Sequence, residues 1–323
     1  MNGTEPNIEI FKPFEDAFEL MKKILFQPFD IRKWFVIGFA AFLASFSGGF
    51  QFHGNPFSAW SSRNDRQEIA SSLHDIGPIN QMDWWVIGLI VLCAVIVVAL
   101  VIVLMWLGAR GRFIFTDCIV HNRGAIVAPW KEFRGEGNSF FLFTLLVALC
   151  LTALVVGLAL GILLPPILRG DHSRPGIGFW IALGVFLFLV VGMVFAWALI
   201  SHLMVPIMYR QRCRAGRAFS QSIGLVSNYP GPILLYVLFM IVIIIAATIV
   251  GCSAICLTCC IAAIPYIGTV ILLPIPVTLY GFTLMFLRQF GSDYDVWQGI
   301  PPLPDAIFSP PGSIPPVPPP LQT

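Results

Sequence analysis

Long apolar runs without Asp, Glu, Lys or Arg dominate this chain, and polar segments separate them. An α-helix rises 1.5 Å per residue, so about 20 apolar residues cross the hydrocarbon core of a bilayer. Four runs have roughly that length or somewhat more, and a fifth, residues 232–287, is far longer. The four are residues 34–50, 84–107, 139–164 and 179–208. This pattern predicts an all-α, polytopic transmembrane helical bundle.

The fifth run is too long for a single crossing. As one helix its 56 residues would extend about 84 Å, so the chain must turn back within it. We expect the turn at Pro265–Gly268, because proline and glycine together interrupt helices strongly. Spans at 232–263 and 269–288 then bring the total to six. Pro274 and Pro276 should interrupt the sixth span, since neither has a backbone N–H to donate.

The distribution of basic residues predicts an orientation. The segments before the first span, between spans two and three, between spans four and five, and after the sixth hold 15 of the 19 Lys and Arg residues. Basic segments stay in the cytoplasm. We therefore expect a multi-pass protein of the plasma (inner) membrane with both termini cytoplasmic. Residues 1–33 would form a cytoplasmic amphipathic segment, 34–289 the membrane domain, and 290–323 a proline-rich cytoplasmic tail.

The composition excludes an ordinary soluble domain. Hydrophobic residues make up 57% of the chain and charged residues 11%, whereas soluble domains carry about 25% charged residues. Membrane lipids are therefore the expected partners, and no nucleic-acid partner is expected. The eight cysteines lie mostly in or beside apolar runs, without the spacing of zinc ligands or of a disulfide framework. We therefore expect no cofactor.

The sequence contains a weak threefold repeat. Pro28, Pro129 and Pro230 lie 101 residues apart, each between a polar-basic stretch and a predicted pair of spans. Large apolar residues recur at helical spacing in each stretch. They are Phe11, Phe14, Phe18, Met21 and Leu25 in the first, Phe115, Ile119 and Ile126 in the second, and Phe219, Ile223 and Val226 in the third. Either three units of interface helix plus transmembrane hairpin are present, or the plan is one that any polytopic protein shows.

Three short N-terminal segments carry a family resemblance. They are FEDAF at residues 14–18, ILFQPFD at 24–30 and KWFVIGF at 33–39. They look like the start of an uncharacterised family of bacterial multi-spanning membrane proteins, a domain of unknown function. The three-unit plan is also similar to the membrane region attached to some glycerophosphodiester phosphodiesterases. That similarity implies a membrane module only, because no segment outside the spans could hold a catalytic barrel of about 250 residues.

Few side chains in the predicted spans could carry chemistry. Apart from Arg288 at the cytoplasmic boundary of the sixth, none of the six contains Asp, Glu, Lys or Arg, and His202, near the cytoplasmic end of the fourth, is the ionisable candidate. His202 could serve a relay, or it could hydrogen-bond a neighbour or reach the interface. Gly157 and Gly161 form a GxxxG pattern, which allows close helix approach within the chain or in a homo-oligomer.

A cysteine cluster and the C-terminal tail each leave two interpretations open. The cluster near the outer end of the fifth span is either packing or a metal or redox site, although no His, Asp or Glu lies nearby. It comprises Cys252, Cys256, Cys259 and Cys260. Ten of the last 24 residues are proline, so the tail is either a polyproline ligand of a cytoplasmic partner or a solvated segment without one.

GxSxG, HExxH, P-loop and Rossmann patterns do not occur in the sequence, which argues against an enzyme. The leading hypothesis is a non-enzymatic membrane protein that organises or permeabilises the bilayer. The alternative is a secondary transporter or lipid-handling permease, which would need converging polar groups at mid-membrane depth. The predicted spans offer only Ser, Thr and backbone freed by proline there, so the first hypothesis is favoured.

Overall fold

The computed structural model describes residues 8–46, 84–168, 177–257 and 265–298. These ranges contain ten α-helices and no strand. The helices are α1 (Phe11–Phe26), α2 (Ile31–Ser45), α3 (Trp84–Val120), α4 (Val127–Glu132), α5 (Arg134–Leu168), α6 (Ile177–Gln211), α7 (Ala215–Asn228), α8 (Pro230–Leu257), α9 (Pro265–Ile271) and α10 (Pro274–Arg288). A 3₁₀ turn at Ser292–Tyr294 follows α10. The predicted all-α class is confirmed for the described residues.

Four helices are long and apolar enough to cross a membrane. They are α3, Arg134–Gly161 of α5, α6, and Pro230–Ala254 of α8. The first predicted span corresponds to the 15-residue α2, and residues 47–83 after it lie outside the described ranges. The sixth is divided between α9, with seven residues, and α10, with 15. Length and composition therefore establish four candidate spans, and the count of six stays a prediction.

The structure changes two predicted boundaries. α3 continues past residue 107 to Val120, because residues 108–120 contain no proline to stop it. Pro265–Gly268, where a turn was predicted, instead lies in helix α9. Pro265 occupies the first helical position, where a backbone N–H would have no intrahelical acceptor. Residues 258–264, between α8 and α9, lie outside the described ranges.

The interruption predicted in the sixth span is confirmed. α9 ends at Ile271, two residues form a turn, and Pro274 starts α10. Pro276 lies in the first turn of α10 and does not break it, since the first N–H groups of a helix have no acceptor within it. The break in the helix therefore comes before both prolines.

The three prolines of the predicted repeat each lie at, or shortly before, the start of a helix. Pro28, whose peptide bond with Gln27 is cis, lies between α1 and α2. Pro129 lies in α4, directly before α5, and Pro230 is the first residue of α8. The interface helix predicted for the second unit is instead the buried C-terminal part of α3. The threefold repeat therefore stays a prediction, with that correction.

One end of the molecule is closely packed. This packed end comprises α1, α2, α4, α7, α10 and the C-terminal parts of α3 and α6. Almost every side chain is buried in Gly108–Val120 of α3, Ser201–Tyr209 of α6 and Val277–Leu287 of α10. These three stretches contribute to one hydrophobic core together with α1 and α2. The core therefore lies at the ends of the long helices and not along their full length.

The face of α1 that packs differs from the predicted one. Met21 and Leu25 are buried as expected, but Phe11 and Phe18 are 79% and 43% exposed. Ala17 lies against Gly281 of α10, and this small pair lets the two helices approach closely. The rings of Phe11 and Phe18 are therefore left on the outside of α1. Its buried residues are Pro13, Ala17, Leu20, Met21, Ile24 and Leu25.

The amphipathic helix α7 divides its faces in the same way. Its buried face is made mostly of small residues, whereas Ile223, on the predicted apolar face, is 39% exposed. The buried residues are Ala215, Ala218, Ser222 and Leu225. Both amphipathic helices therefore leave some large apolar side chains exposed: Phe11 and Phe18 in α1 and Ile223 in α7.

The other end of α3 has almost no cover from the described residues. From Trp84 to Val103 every residue except Val86 is exposed, although the stretch contains no charged residue. We call residues 84–103 the exposed segment of α3. The most apolar part of this helix therefore lies outside the protein core.

Candidate functional site

Buried polar side chains gather where α3, α6, α8 and α10 meet at the packed end. Thr116, His202 and Thr283 are at most 4% exposed, and each comes from a different helix. Two tyrosines, Tyr236 of α8 and Tyr280 of α10, are buried beside them. Because buried polar groups are costly unless they are hydrogen-bonded, their partners define the site.

His202, Thr283 and Tyr236 form one hydrogen-bonded group. The Thr283 hydroxyl lies 2.8 Å from Nε2 of His202 and 2.9 Å from the Tyr236 hydroxyl. Thr283 donates its own proton to the carbonyl of Leu279, at 3.1 Å. It must therefore accept from both partners, which requires the His202 proton on Nε2. The group ties α6 and α8 to α10.

Tyr280 connects this group to α3. Its hydroxyl lies 2.7 Å from that of Thr116, which donates to the Arg112 carbonyl at 2.8 Å. Tyr280 is therefore the donor to Thr116. The Tyr280 ring also meets the His202 ring edge to face, with centroids 5.6 Å apart. We call these residues, together with Arg112, the buried polar network.

Arg112 lies five residues beyond the predicted end of the second span at residue 107, but in the same continuous helix, which is a candidate membrane span. It belongs to α3, is 3% exposed, and has its guanidinium 5.5 Å from the centre of the Phe140 ring. Arg110, two residues earlier and 7% exposed, lies over Trp106 and donates to Asn138 at 2.9 Å. Ionisable residues in such helices usually face the bundle interior and carry function.

A second buried charge, Asp117, lies one turn further along α3. Its carboxylate is 1% exposed and accepts a bidentate pair of hydrogen bonds from Arg123, the shortest 3.0 Å. Tyr209 of α6 donates to the same carboxylate at 3.0 Å, and Nδ1 of His121 lies 2.9 Å away. Arg123 and His121 are partly exposed. This ion-pair cluster therefore joins the buried interior to the surface.

The room beside the network is small. A void of about 10 Å³ adjoins His202, Tyr236 and Met240, which is close to the smallest volume that holds one water molecule, roughly 10–15 Å³. Within the described residues, no group of three or more His, Cys, Asp and Glu side chains could hold a metal ion. The network can fix the register of four helices, but its void has no space for a solute.

The other candidates from the sequence do not join this network. Gly157 and Gly161 are exposed, and no described atom lies within 4 Å of a Cβ built at either position. Cys252 and Cys256 are exposed free thiols. Cys259, Cys260 and the proline-rich tail lie outside the described residues. His202 is thus the sequence-based candidate that the structure brings together with other polar groups.

Sequence reasoning missed Arg112, Asp117, Tyr280 and Thr283. Two signals could have found the first pair: residues 108–120 contain no helix-breaking proline, and Asp117 and His121 have the i, i+4 spacing of a helical ion pair. Tyr280 and Thr283 lie one turn apart on a helix in a charge-free run. Without the tertiary contacts nothing distinguishes them from packing residues.

Comparison with known protein families gives a match over most of the chain. A family model described as "Family of unknown function (DUF7544)" matches residues 9–290. No curated protein and no solved structure matches. The match is consistent with the resemblance of the N-terminal segments to an uncharacterised family and extends over all ten described helices. The similarity of plan to phosphodiesterase membrane regions stays a prediction.

Proposed function

The chain belongs to the family of unknown function DUF7544, and we propose that it is a non-enzymatic integral membrane protein that organises the bilayer around it. In this proposal six helical spans cross the plasma (inner) membrane, and both termini lie in the cytoplasm. The packed end faces the cytoplasm and fixes the helices relative to one another. The apolar ends of the long helices contact lipid.

The exposed segment of α3 carries the proposal. Four consecutive residues, which point in directions about 100° apart around the helix, are each between 52% and 56% exposed. They are Leu89, Ile90, Val91 and Leu92. A helix that is apolar on every side is stable where every side meets an apolar environment. Lipid acyl chains supply that environment around a span without close neighbours.

The ends of three helices support the proposed crossings by α3, α6 and α10. Each of these helices ends one to three residues before a residue with positive φ: Asn122 (51°), Arg212 (49°) and Gly291 (129°). Residues with positive φ commonly follow the end of a helix. The shared ending, together with the shared burial of their C-terminal parts, favours equivalent roles in three units.

The position of the basic residues supports the proposed orientation. All Lys and Arg residues in the described ranges belong to the packed end or to the segments beside it. Some are anchored there, such as Lys33, whose Nζ donates to the Ile24 carbonyl at 2.7 Å. Cytoplasmic segments of membrane proteins carry an excess of such residues.

Quenching by brominated lipid tests the proposal. A fluorophore attached to single cysteines at positions 89, 90, 91 and 92, in a protein whose native cysteines are replaced, should be quenched to similar extents in vesicles with brominated acyl chains. Ile119, on the same helix and 0% exposed, is the matched control and should stay unquenched. If one of the four positions were quenched as little as position 119, protein would cover that side of the helix, and the proposal would fail.

A secondary transporter or lipid-handling permease is the second candidate. The observation that favours it is the buried polar network, which lies beside the helix interrupted between Ile271 and Pro274. Transporters commonly place binding sites at such interrupted helices. Their sites must, however, become hydrated in one state of the cycle.

Thiol labelling distinguishes the two candidates. In the leading proposal Thr283→Cys should not react with a water-soluble thiol reagent, because position 283 is 0% exposed. Ser292→Cys, on the exposed 3₁₀ turn, is the matched control and should react. Rapid labelling at position 283, together with solute uptake by vesicles that contain the protein, would favour the transporter or permease over the leading proposal.

A further inference from the structure

A cleft separate from the buried polar network lies between the start of α1 and the end of α10. Its volume is about 520 Å³, within the roughly 300–1,000 Å³ typical of small-molecule sites. Pro13 and Met285 form its apolar lining. Charged and amide side chains complete it: Glu9, Lys12, Asp16, Arg288 and Gln289. We call it the α1–α10 cleft.

A reciprocal pair of hydrogen bonds fixes the cleft. The Glu9 backbone N–H donates to Oε1 of Gln289 at 2.8 Å, and Nε2 of Gln289 donates to the Glu9 carbonyl at 2.8 Å. Because the pair uses only the backbone of Glu9, the Glu9 carboxylate stays available. The distance between the two helices is therefore set without the charged groups of the cleft.

The charged side chains of the cleft are available to a ligand. Among the described residues, Glu9, Lys12 and Asp16 form no salt bridge with one another or with any other side chain. All three are exposed. Arg288 uses Nε for Asp295, at 3.1 Å, and has four further N–H groups. The cleft thus offers two carboxylates and two cations.

We propose that this cleft binds the zwitterionic headgroup of an amino-phospholipid. The carboxylates of Glu9 and Asp16 can accept hydrogen bonds from a primary ammonium group, and Lys12 and Arg288 can donate to its phosphate. A phosphatidylcholine headgroup has no N–H to donate, and phosphatidylglycerol has no cation. The pairing of charges therefore selects phosphatidylethanolamine among these three.

The surroundings of the cleft favour a lipid over a soluble zwitterion. Phe11, beside Lys12, is 79% exposed, and its ring lies 5.7 Å from that of Phe239 on the candidate span α8. Lys22 lies over the exposed ring of Phe18, one turn further along α1. Aromatic rings and lysines on an amphipathic helix are typical of the headgroup layer. This step rests on the proposed membrane location.

Native mass spectrometry of the full-length protein in detergent tests the inference. Phosphatidylethanolamine should bind about tenfold more tightly than phosphatidylcholine, since two charge-assisted contacts are lost with choline. The double variant Glu9→Gln/Asp16→Asn should remove this preference. Glu15→Gln/Glu19→Gln makes the same change of charge on α1 outside the cleft, and it should keep the preference.

Each other outcome overturns the inference. Equal binding of the two lipids by the unaltered protein would refute headgroup selection, and loss of the preference in the Glu15/Glu19 variant would refute the location. Displacement of the lipid by free phosphoethanolamine at equal affinity would make the ligand a soluble zwitterion. Lipid quenching along α3 does not depend on the cleft, so failure here and failure of the proposed function are distinguishable.

Discussion

Replacing Gly111 with alanine should destabilise the protein, because α2 and α3 touch there backbone to backbone. A Cβ at position 111 would lie 2.6 Å from the Ala44 nitrogen and 2.7 Å from the Leu43 carbonyl carbon. Ordinary van der Waals contacts are 3.4–4 Å, so α2 would have to move by roughly 1 Å. The atoms in the way belong to the backbone, and no change of rotamer can relieve the contact.

The expected loss follows from two opposing effects. Overpacking in a closely packed core typically costs about 1–3 kcal/mol, and a backbone clash belongs at the upper end of that range. Replacing glycine with alanine inside a helix stabilises the helix by up to about 1 kcal/mol, because alanine has the higher helix propensity. We therefore expect Gly111→Ala to lower the free energy of unfolding by about 2 kcal/mol, or the melting temperature by several degrees.

Gly157→Ala is the matched control. It places the same methyl group in another apolar helix, where no described atom lies within 4 Å of the new Cβ. Thermal unfolding of the purified variants, followed by intrinsic tryptophan fluorescence, should show a lower melting temperature for Gly111→Ala alone. Equal melting temperatures for the two variants would refute the close approach of α2 and α3.

Three further measurements check other parts of the structure. Tyr209→Phe removes a hydrogen bond to the buried Asp117 carboxylate and should lower the free energy of unfolding by about 1.5–3 kcal/mol; no change would contradict the ion-pair cluster. A cysteine at Ile275, which packs against the core beside the interrupted helix, should resist a water-soluble thiol reagent, and complete labelling would indicate a hydrated cavity. A topology reporter fused at Asn138 should read cytoplasmic and one at His172 external, and the reverse result would invert the proposed orientation.

Local features were predictable from the sequence where local physics decides them. The start of α3 at Trp84 coincides with the predicted start of the second span, because a charge-free apolar run is a property of consecutive residues. The interruption before Pro274 was also predictable, since proline lacks a backbone donor wherever it occurs. The turn predicted at Pro265–Gly268 was wrong because proline also starts helices, and local sequence does not distinguish the two uses.

The site was predictable to a smaller extent. His202 was identified because it is the ionisable residue in a charge-free run, but its partner Thr283 comes from α10, and Tyr236, which bonds the same threonine, comes from α8. His202 and Thr283 are 81 residues apart in the sequence, and Tyr236 and Thr283 are 47 residues apart. A threonine or tyrosine in an apolar helix has the same local pattern whether it faces lipid, packs or completes a network.

The sequence by itself determined the class of the protein: its all-α character, its four long apolar helices and the concentration of basic residues beside their ends. These follow from hydrophobicity and helical periodicity, which act over a few turns. Only the tertiary structure decided that α3 continues into the core with Arg112 and Asp117 buried, and that α1 packs through Ala17 and leaves Phe11 and Phe18 exposed. The reason is that the cost of burying a charge or a ring depends on the partners that other helices bring to it, and those partners are distant in the chain.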